Sequence, residues 1–488
     1  MALDAAALAR HPAEVVETHV SVIVLLGDRV FKLKKPVALP FVDWTDRRAR
    51  HDACHREVQL NRRLAPDVYL GVADVVVDGS PCDHLVVMRR MPVERRLSTL
   101  VAARADLRDE LDRVASLVAR FHAAAPRSAA IDQAAGVEGV RRNWDDNLEA
   151  LRAEGSPVAP DAVARIGELA HAYLDGRGPL FAERAAAGCN VDGHGDLLAD
   201  DIYLLPDGPR ILDCIDFSDR LRSVDVLDDV AFLAMDLERL GAAELSTSLV
   251  GAYERYSGRP APPSLVHHFV AYRAGVRAKV ACVRAAQGAA PAAGDARLLT
   301  ELTERHLEAG RVRLVAVGGL PGTGKSTVAS ELAARTGWPV LTTDRIRKEL
   351  VGAEAEQPFP AGFAEGLYAP DHSAATYRAL LERARDHLEK GESVICDASW
   401  TDPQWRDAAA GLAEATASDL VPLWCTAPLP VAADRLRRRG VDHPSDATPE
   451  VLAAMAERTP SWAEATSVAT DGPVEGSVGV AVEAVGTW

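Results

Sequence analysis

Hydrophobic and polar positions change period several times along the chain, and each change marks a new set of elements. Near the N-terminus, His19–Leu26 and the run from Arg29 to Pro36 flank Gly27-Asp28, the pattern of a β-hairpin. In its second strand Lys32 and Lys34 fall on one face, Phe31 and Leu33 on the other. Lysines on an exposed hairpin edge also serve simply to block strand pairing. Spacing then shifts to three and four, with Glu57, Leu60 and Leu64 on a helix over Arg47–Leu64. Strand chemistry returns after Ala65 and again over His84–Pro92. Helical spacing governs Leu107–Ala125, where Phe121 and His122 read as packing, then Ala162–Leu174, Ser223–Leu240, Pro263–Gln287 and a helix ending near Ala309. Gln287–Asp295 has the most linker-like composition, and the boundary between two modules is set near Gly310.

From Leu314 onward short apolar strands alternate with helices. Trp338–Asp344 is a strand whose last residues enter a loop, Ser373–Lys390 a helix, Glu392–Trp400 a strand ending at Asp397, then comes a helix with Arg406 and a strand over Leu420–Cys425. That alternation predicts an α/β module with a parallel sheet covered on both faces and a site at the carboxyl ends of its strands. After Thr466 the chain is rich in small residues and reads as one closing strand and a loose end.

Chemistry is most legible just after the strand that opens this module. Gly319, Leu320, Pro321, Gly322, Thr323, Gly324, Lys325, Ser326 and Thr327 carry the G-x-x-x-x-G-K-S pattern between a strand and a helix. Glycines let successive N–H groups wrap a phosphate, and the helix adds its positive end. Lys325 is expected at the terminal phosphates of ATP and the Ser326 hydroxyl on Mg²⁺. A ligand-free glycine loop is the bland alternative, and the filled positions and correct flanks argue against it.

A second block spans Asn190–Asp219. It holds His194-Gly195-Asp196, then Asp201, two short strands (Ile202–Leu205 and Arg210–Ile215) around Asp207-Gly208, and Asp216-Phe217-Ser218. Here the chain resembles the aminoglycoside phosphotransferase-like kinases, which carry H-G-D-x-x-x-x-N and I-D-F/W-G on a two-lobed protein-kinase-like fold. The resemblance implies an α+β kinase module over 1–310, with a small lobe to about residue 92 and a large lobe over 93–310. It implies that Asp196 accepts the proton of an acceptor hydroxyl and that Asp201 and Asp216 hold Mg²⁺. Lys32 would hold phosphates and pair with Glu57, and His194 would brace the loop. Asp213 is an alternative to Asp216. Asp225 and Asp229 are expected to brace the catalytic loop. Two departures stand out: the family's metal-binding Asn is Asp201, and the Gly after the second Asp is Ser218. An aspartate can still ligate a hard cation, though it adds negative charge. No glycine-rich loop of the protein-kinase type covers the phosphates. An acidic hairpin whose aspartates cap turns is the structural alternative.

The module over 311–488 resembles P-loop kinases of the polynucleotide-kinase, gluconate-kinase and zeta-toxin type, through D-x-x-R at Asp344 and Arg347, D-A-S at Asp397, and the arginine-rich stretch before Gly440. By that resemblance Asp344 positions or deprotonates the acceptor hydroxyl and Arg347 holds the acceptor. Asp397 holds Mg²⁺ indirectly, and Arg435, Arg438 or Arg439 belong to a lid over the phosphates. Arginines at a solvated helix end also simply suit its dipole. AAA+ motors share the Walker loop but need a helical lid subdomain and ring partners, so the short arginine segment favours a compact kinase. The whole arrangement resembles bacterial fusions of an aminoglycoside phosphotransferase-like domain with a P-loop, AAA-type ATPase domain.

Composition alters this picture only at its edges. The net charge of −16 argues against a bulk electrostatic role on nucleic acid or an anionic membrane surface. Seven cysteines without a C-x-x-C pair fit reduced thiols rather than a disulfide or zinc framework. No stretch approaches ~18 consecutive apolar residues, and a cytoplasmic location is expected. The leading expectation is an ATP- and Mg²⁺-dependent kinase acting on a small-molecule hydroxyl. A nucleotide-sensing regulatory ATPase and a nucleic-acid 5′-hydroxyl kinase are the alternatives.

Overall fold

A computed structural model describes residues 13–18, 20–39, 42–289, 291–352, 370–438 and 448–486. It divides into two compact units, one formed by Met1–Val163, Glu183–Ala261 and Phe269–Glu304, the other by Ala164–Ala182, Pro262–His268 and Arg305–Trp488. Gln287–Asp295 is therefore not a linker between units. It lies inside the first, where the helix Pro263–Ala286 turns into the helix Ala292–Ala309.

The first unit opens with a five-stranded antiparallel sheet. Its order is Glu14–Glu17, Ser21–Leu26, Arg29–Lys34, Ser80–Arg89, Tyr69–Val77. The lysine-bearing strand is thus the middle one and not an edge, which removes the anti-pairing explanation for Lys32 and Lys34. The helix Arg47–Asn61 buries Cys54, Glu57 and Val58. Cys54 and Val58 pack with Val68, Tyr69 and Val86 from the sheet and Tyr203 and Leu212 from the following lobe. That lobe is helical, built on buried stretches such as Val226–Arg239, nearly every residue of which is enclosed. Its helix starts later than periodicity suggests. Ser223–Asp225 pairs antiparallel with Asn190–Asp192, and the Asp225 carboxylate caps the helix by accepting from Leu227 N at 2.7 Å. The strand expected over Arg210–Ile215 ends at Ile211, because Asp213 adopts a φ of +63° that no ladder accommodates.

The second unit holds a five-stranded parallel sheet in the order Val340–Thr342, Val394–Asp397, Arg313–Gly319, Asp419–Thr426, Thr466–Ala469. Val315 and Val317 of the fully buried central strand pack against Val328, Ala329 and Leu332 of the helix Lys325–Thr336. Two expectations change. Asp344 lies in the first turn of the helix Thr343–Leu350, capped by the Thr342 hydroxyl, and not in a loop. The tail beyond Thr466 is no loose end: the helix Val474–Val485 buries Val478, Ala481 and Val485, the last two joining the sheet's core.

Candidate functional site

In the first unit, side chains from distant stretches meet around Glu57, which is 1% exposed. Lys32 Nζ lies 2.9 Å from its Oε1 and Lys34 Nζ 2.8 Å from its Oε2. Each lysine holds a further carboxylate, Asp213 at 3.0 Å from Lys32 and Asp216 at 2.6 Å from Lys34. Burial pushes the Glu57 carboxyl up, but the two lysines outweigh it and bring it down to about 2. Burial likewise works against the charges of Lys32 and Lys34, and the facing carboxylates raise both above the ordinary lysine value. The strand pattern makes Lys34 only a neighbour of Lys32 on one face, and spacing carries no signal for its tie to Asp216.

The segment bearing Asp196 is suspended from the helices of the larger lobe. Asp229 accepts from His194 N at 2.7 Å and Gly195 N at 2.8 Å, and from His122 Nε2 at 3.1 Å. His122, expected merely to pack, therefore holds the carboxylate that holds the loop. Arg273 grips both oxygens of Asp228 at 2.7 and 2.8 Å and donates to Gly195 O at 3.0 Å. Asp236 accepts from Ala199 N at 2.9 Å. Asp225 is not among these braces; it forms a bidentate pair with Arg184 at 2.6 and 2.7 Å. His194 donates from Nε2 to Leu212 O at 3.0 Å and accepts at Nδ1 from Asp196 N at 3.3 Å. Burial takes its pKa down to about 4, so the ring is neutral near pH 7.

The acidic groups beside it crowd one another. Burial drives Asp196 up to about 7, opposed by Arg277 and reinforced by Asp213. Asp201 is pushed well above the carboxylate range by burial, then by Asp213 and Asp196. Burial raises Asp216 as well, against the pull of Lys34. Among the described residues no three His, Cys, Asp or Glu side chains form a self-sufficient ion cage. Mg²⁺ held by one or two carboxylates together with phosphate oxygens needs none, and the mutual repulsion of Asp196, Asp201 and Asp213 is the charge such a cation would neutralise.

In the second unit the glycine-rich loop is set by close approach. Gly319, Gly322 and Gly324 have φ of 139°, 79° and 82°. A Cβ on Gly322 would stand 2.4 Å from Ala432 O, and one on Gly319 2.5 Å from Cys425 O. Lys325 Nζ donates to Leu320 O at 3.0 Å, closing the loop on itself. Ser326 and Thr327 are exposed at the start of the helix. Asp397 ends its strand in register with Val317 of the P-loop strand. Asp344 and Arg347 pair with each other at 2.7 Å, one turn apart. Leu320 packs against the small cluster of Ala432, Leu436 and Leu452, and Pro321 is part-buried.

Two of the arginines expected in a lid have partners in the structure. Arg435 donates to Thr470 O at 2.5 Å and to Gly322 O at 3.4 Å, bracing the loop from behind. Arg438, just past the end of the helix Leu429–Arg437, pairs with Asp434 of that helix at 2.9 Å. Arg439 lies outside the described residues. Sequence reasoning missed Thr470, whose hydroxyl donates to Thr323 O at 2.7 Å, and an aromatic wall beside the loop. There Trp400, at φ +50°, donates from Nε1 to Cys396 O, and Tyr377 Oη sits 3.0 Å from Ser399 Oγ. A tryptophan at positive φ leaves no trace in a motif scan.

The fold and these two sites define a class: an α+β unit with an antiparallel sheet and a helical lobe, and an α/β P-loop unit with a parallel sheet, in one chain. A family model described as an AAA domain matches residues 314–460. Uncharacterized protein Rv2004c of Mycobacterium tuberculosis is 44% identical over 470 residues, covering 96% of this chain and 94% of that protein, and Uncharacterized protein Mb2027c of Mycobacterium bovis matches equally. The chain belongs to the family of these mycobacterial proteins. Among solved structures it is similar to a gluconokinase from Sinorhizobium meliloti 1021 (21% identity, 35% of this chain and 90% of that one, TM-score 0.26). It is also similar to a choline/ethanolamine kinase family protein from Mesorhizobium loti (17% identity, 62% and 92%, TM-score 0.39). No helix among the described residues is long and apolar enough to cross a membrane.

Proposed function

We propose that the protein is an ATP-dependent phosphotransferase with two nucleotide sites, divided near Gly310, that passes a phosphoryl group to a hydroxyl of a small molecule. The observation that carries this reading is the P-loop: glycines that a Cβ would displace, backbone amides at a helix N-terminus, and Lys325 folded back onto Leu320 O where a phosphate could take its place. Mg²⁺, when bound, would neutralise phosphate charge; Ser326 and Asp397 are its candidate holders in the second unit, with Asp201 and a second carboxylate in the first. In-line transfer forms a bond from the acceptor oxygen to the γ-phosphorus as the bond to ADP breaks. The acceptor's proton passes to Asp196 in one unit or Asp344 in the other. Arg347, held by Asp344, is suited to a negatively charged or polyhydroxylated acceptor.

A second reading is a nucleotide-sensing regulatory ATPase whose first unit binds without turnover. It is favoured by one feature: where the resembled kinases carry an Asn this chain has Asp201, whose carboxylate faces the repulsion of Asp213 and Asp196. Calorimetry with ATP, with and without Mg²⁺, followed by a panel of sugars, amino alcohols and a 5′-hydroxyl oligonucleotide with radiolabelled ATP, tests both. Label transfer to a small alcohol is expected. Hydrolysis without transfer to any acceptor favours the regulatory reading, transfer to the oligonucleotide alone favours a nucleic-acid kinase, and absence of Mg²⁺-dependent ATP binding ends all three.

A further inference from the structure

We infer that Asp213, and not Asp216, is the carboxylate that faces the metal and phosphates in the first unit, while Asp216 is a fixed tie for Lys34. The inference rests on the reading of that unit as a nucleotide site and assigns its working residues.

Two lysines two residues apart on one strand face produce two stacked ion pairs that share Glu57. The inner one is closed. Lys34 is 2% exposed, touches Glu57 and Asp216, and lies 4.3 Å from the centre of the Trp44 ring. Asp216, 12% exposed, is committed to it at 2.6 Å. The outer pair is open: the Asp213 side chain is 53% exposed and lies 3.0 Å from Lys32. A phosphate or a hydrated cation has the freer access to the outer pair; of the inner one, Lys34 is sealed and only the edge of Asp216 borders a surface hollow beside Trp44 and Phe217.

The backbone explains why Asp213 faces outward. Leu212 N donates to Asp201 O at 3.0 Å, and Leu212 O accepts from His194 Nε2 at 3.0 Å. Cys214 N donates to Asn61 Oδ1 at 2.9 Å and Ile215 N to His194 O at 3.2 Å. Asp213 N itself donates to the buried Tyr69 Oη at 3.2 Å. These bonds hold Asp213 at φ +63°, a conformation that aspartate tolerates better than most residues. Leu212 is thereby stitched to both ends of the Asp196 segment, at His194 and Asp201. Asp213 is the next residue, whereas Asp216 lies three further on and is drawn off by Lys34.

The test uses full-length protein carrying Lys325→Ala, so that Mn²⁺ and a non-hydrolysable ATP analogue report on the first unit alone by electron paramagnetic resonance and calorimetry. In that background Asp213→Asn should weaken Mn²⁺-dependent nucleotide binding at least tenfold while leaving the melting temperature of the ligand-free protein nearly unchanged. Asp216→Asn should lower the melting temperature by several degrees, since it strands a buried lysine, and folded protein should bind Mn²⁺ within about threefold of the parent. Full Mn²⁺ binding by Asp213→Asn overturns the assignment whatever Asp216→Asn does, as does loss of the ion only in folded Asp216→Asn. If the Lys325→Ala parent binds no Mn²⁺-nucleotide at all, the nucleotide-site reading fails first and the assignment with it.

Discussion

Glu57 shows how a single carboxylate can survive almost complete burial. Its charge is stable there because two ammonium groups lie within 2.9 Å. Removing the charge should therefore cost more than the Coulomb energy of either pair, since both lysines lose a partner. Glu57→Gln is expected to destabilise the first unit by about 3–5 kcal/mol in urea unfolding; a loss under about 1 kcal/mol would mean the lysines find other partners. His194 supplies a pH signature. Its folded pKa is about 4 against an ordinary 6.5, so the unfolded chain takes up the proton first as pH falls. Its contribution is whole above pH 6.5 and is lost as pH falls through 4. Glu57 acts in the same direction lower down, its share being lost as pH falls from the ordinary 4.5 toward 2. Asp196 runs the other way, because its folded pKa of about 7 means that ionising it costs stability as pH rises from 3.8 through 7. Replacing His194 with Gln, which can still donate to Leu212 O, should flatten the fall in melting temperature between pH 6.5 and 4. Identical slopes for the two proteins would refute the assignment.

At the scale of elements, both sites depend on backbone held by something else. The Asp196 segment hangs from Asp229, which is fully buried and accepts from two backbone amides and His122. Asp229→Ala leaves those amides without an acceptor and should cost about 3 kcal/mol or more, with Asp196-dependent turnover lost alongside. The P-loop hangs from the helix Leu429–Arg437 and from Thr470. In Gly322→Ala the added methyl would meet Ala432 O at 2.4 Å, so the helix or the loop must shift. Calorimetry should then show at least a tenfold loss of ATP affinity, about 1.4 kcal/mol, and an unchanged affinity would mean that the loop relaxes freely. The C-terminal helix is part of the same frame. Deleting residues from Val474 onward uncovers Val468 and the sheet's core, and the second unit should unfold at markedly lower urea.

At the scale of the molecule, the two proposed nucleotide sites predict two separable activities. Lys325→Ala and Asp196→Ala should each abolish one Mg²⁺-ATP-dependent turnover and spare the other, and loss of both activities in either variant would mean that the sites act as one. Some of this was readable from the chain's order of residues, and the reason is locality. The loop from Gly319 to Thr327 works through consecutive amides and the φ its glycines permit, so nine adjacent letters contain the whole device. The alternation of strands and helices, and the His194–Asp196 segment, are local in the same sense. The helix Val474–Val485 was missed because its small residues carry weak periodicity and become helical by packing on the sheet. Pairings made across the fold were beyond motif spacing. Lys32 with Asp213 and Lys34 with Asp216 are separated by 181 and 182 residues. Which lysine takes which aspartate depends on how one strand face meets one loop, and on a single residue turned to positive φ. Composition and spacing supply both lysines and both carboxylates as equals; burial makes one pair a tie and leaves the other facing the open side.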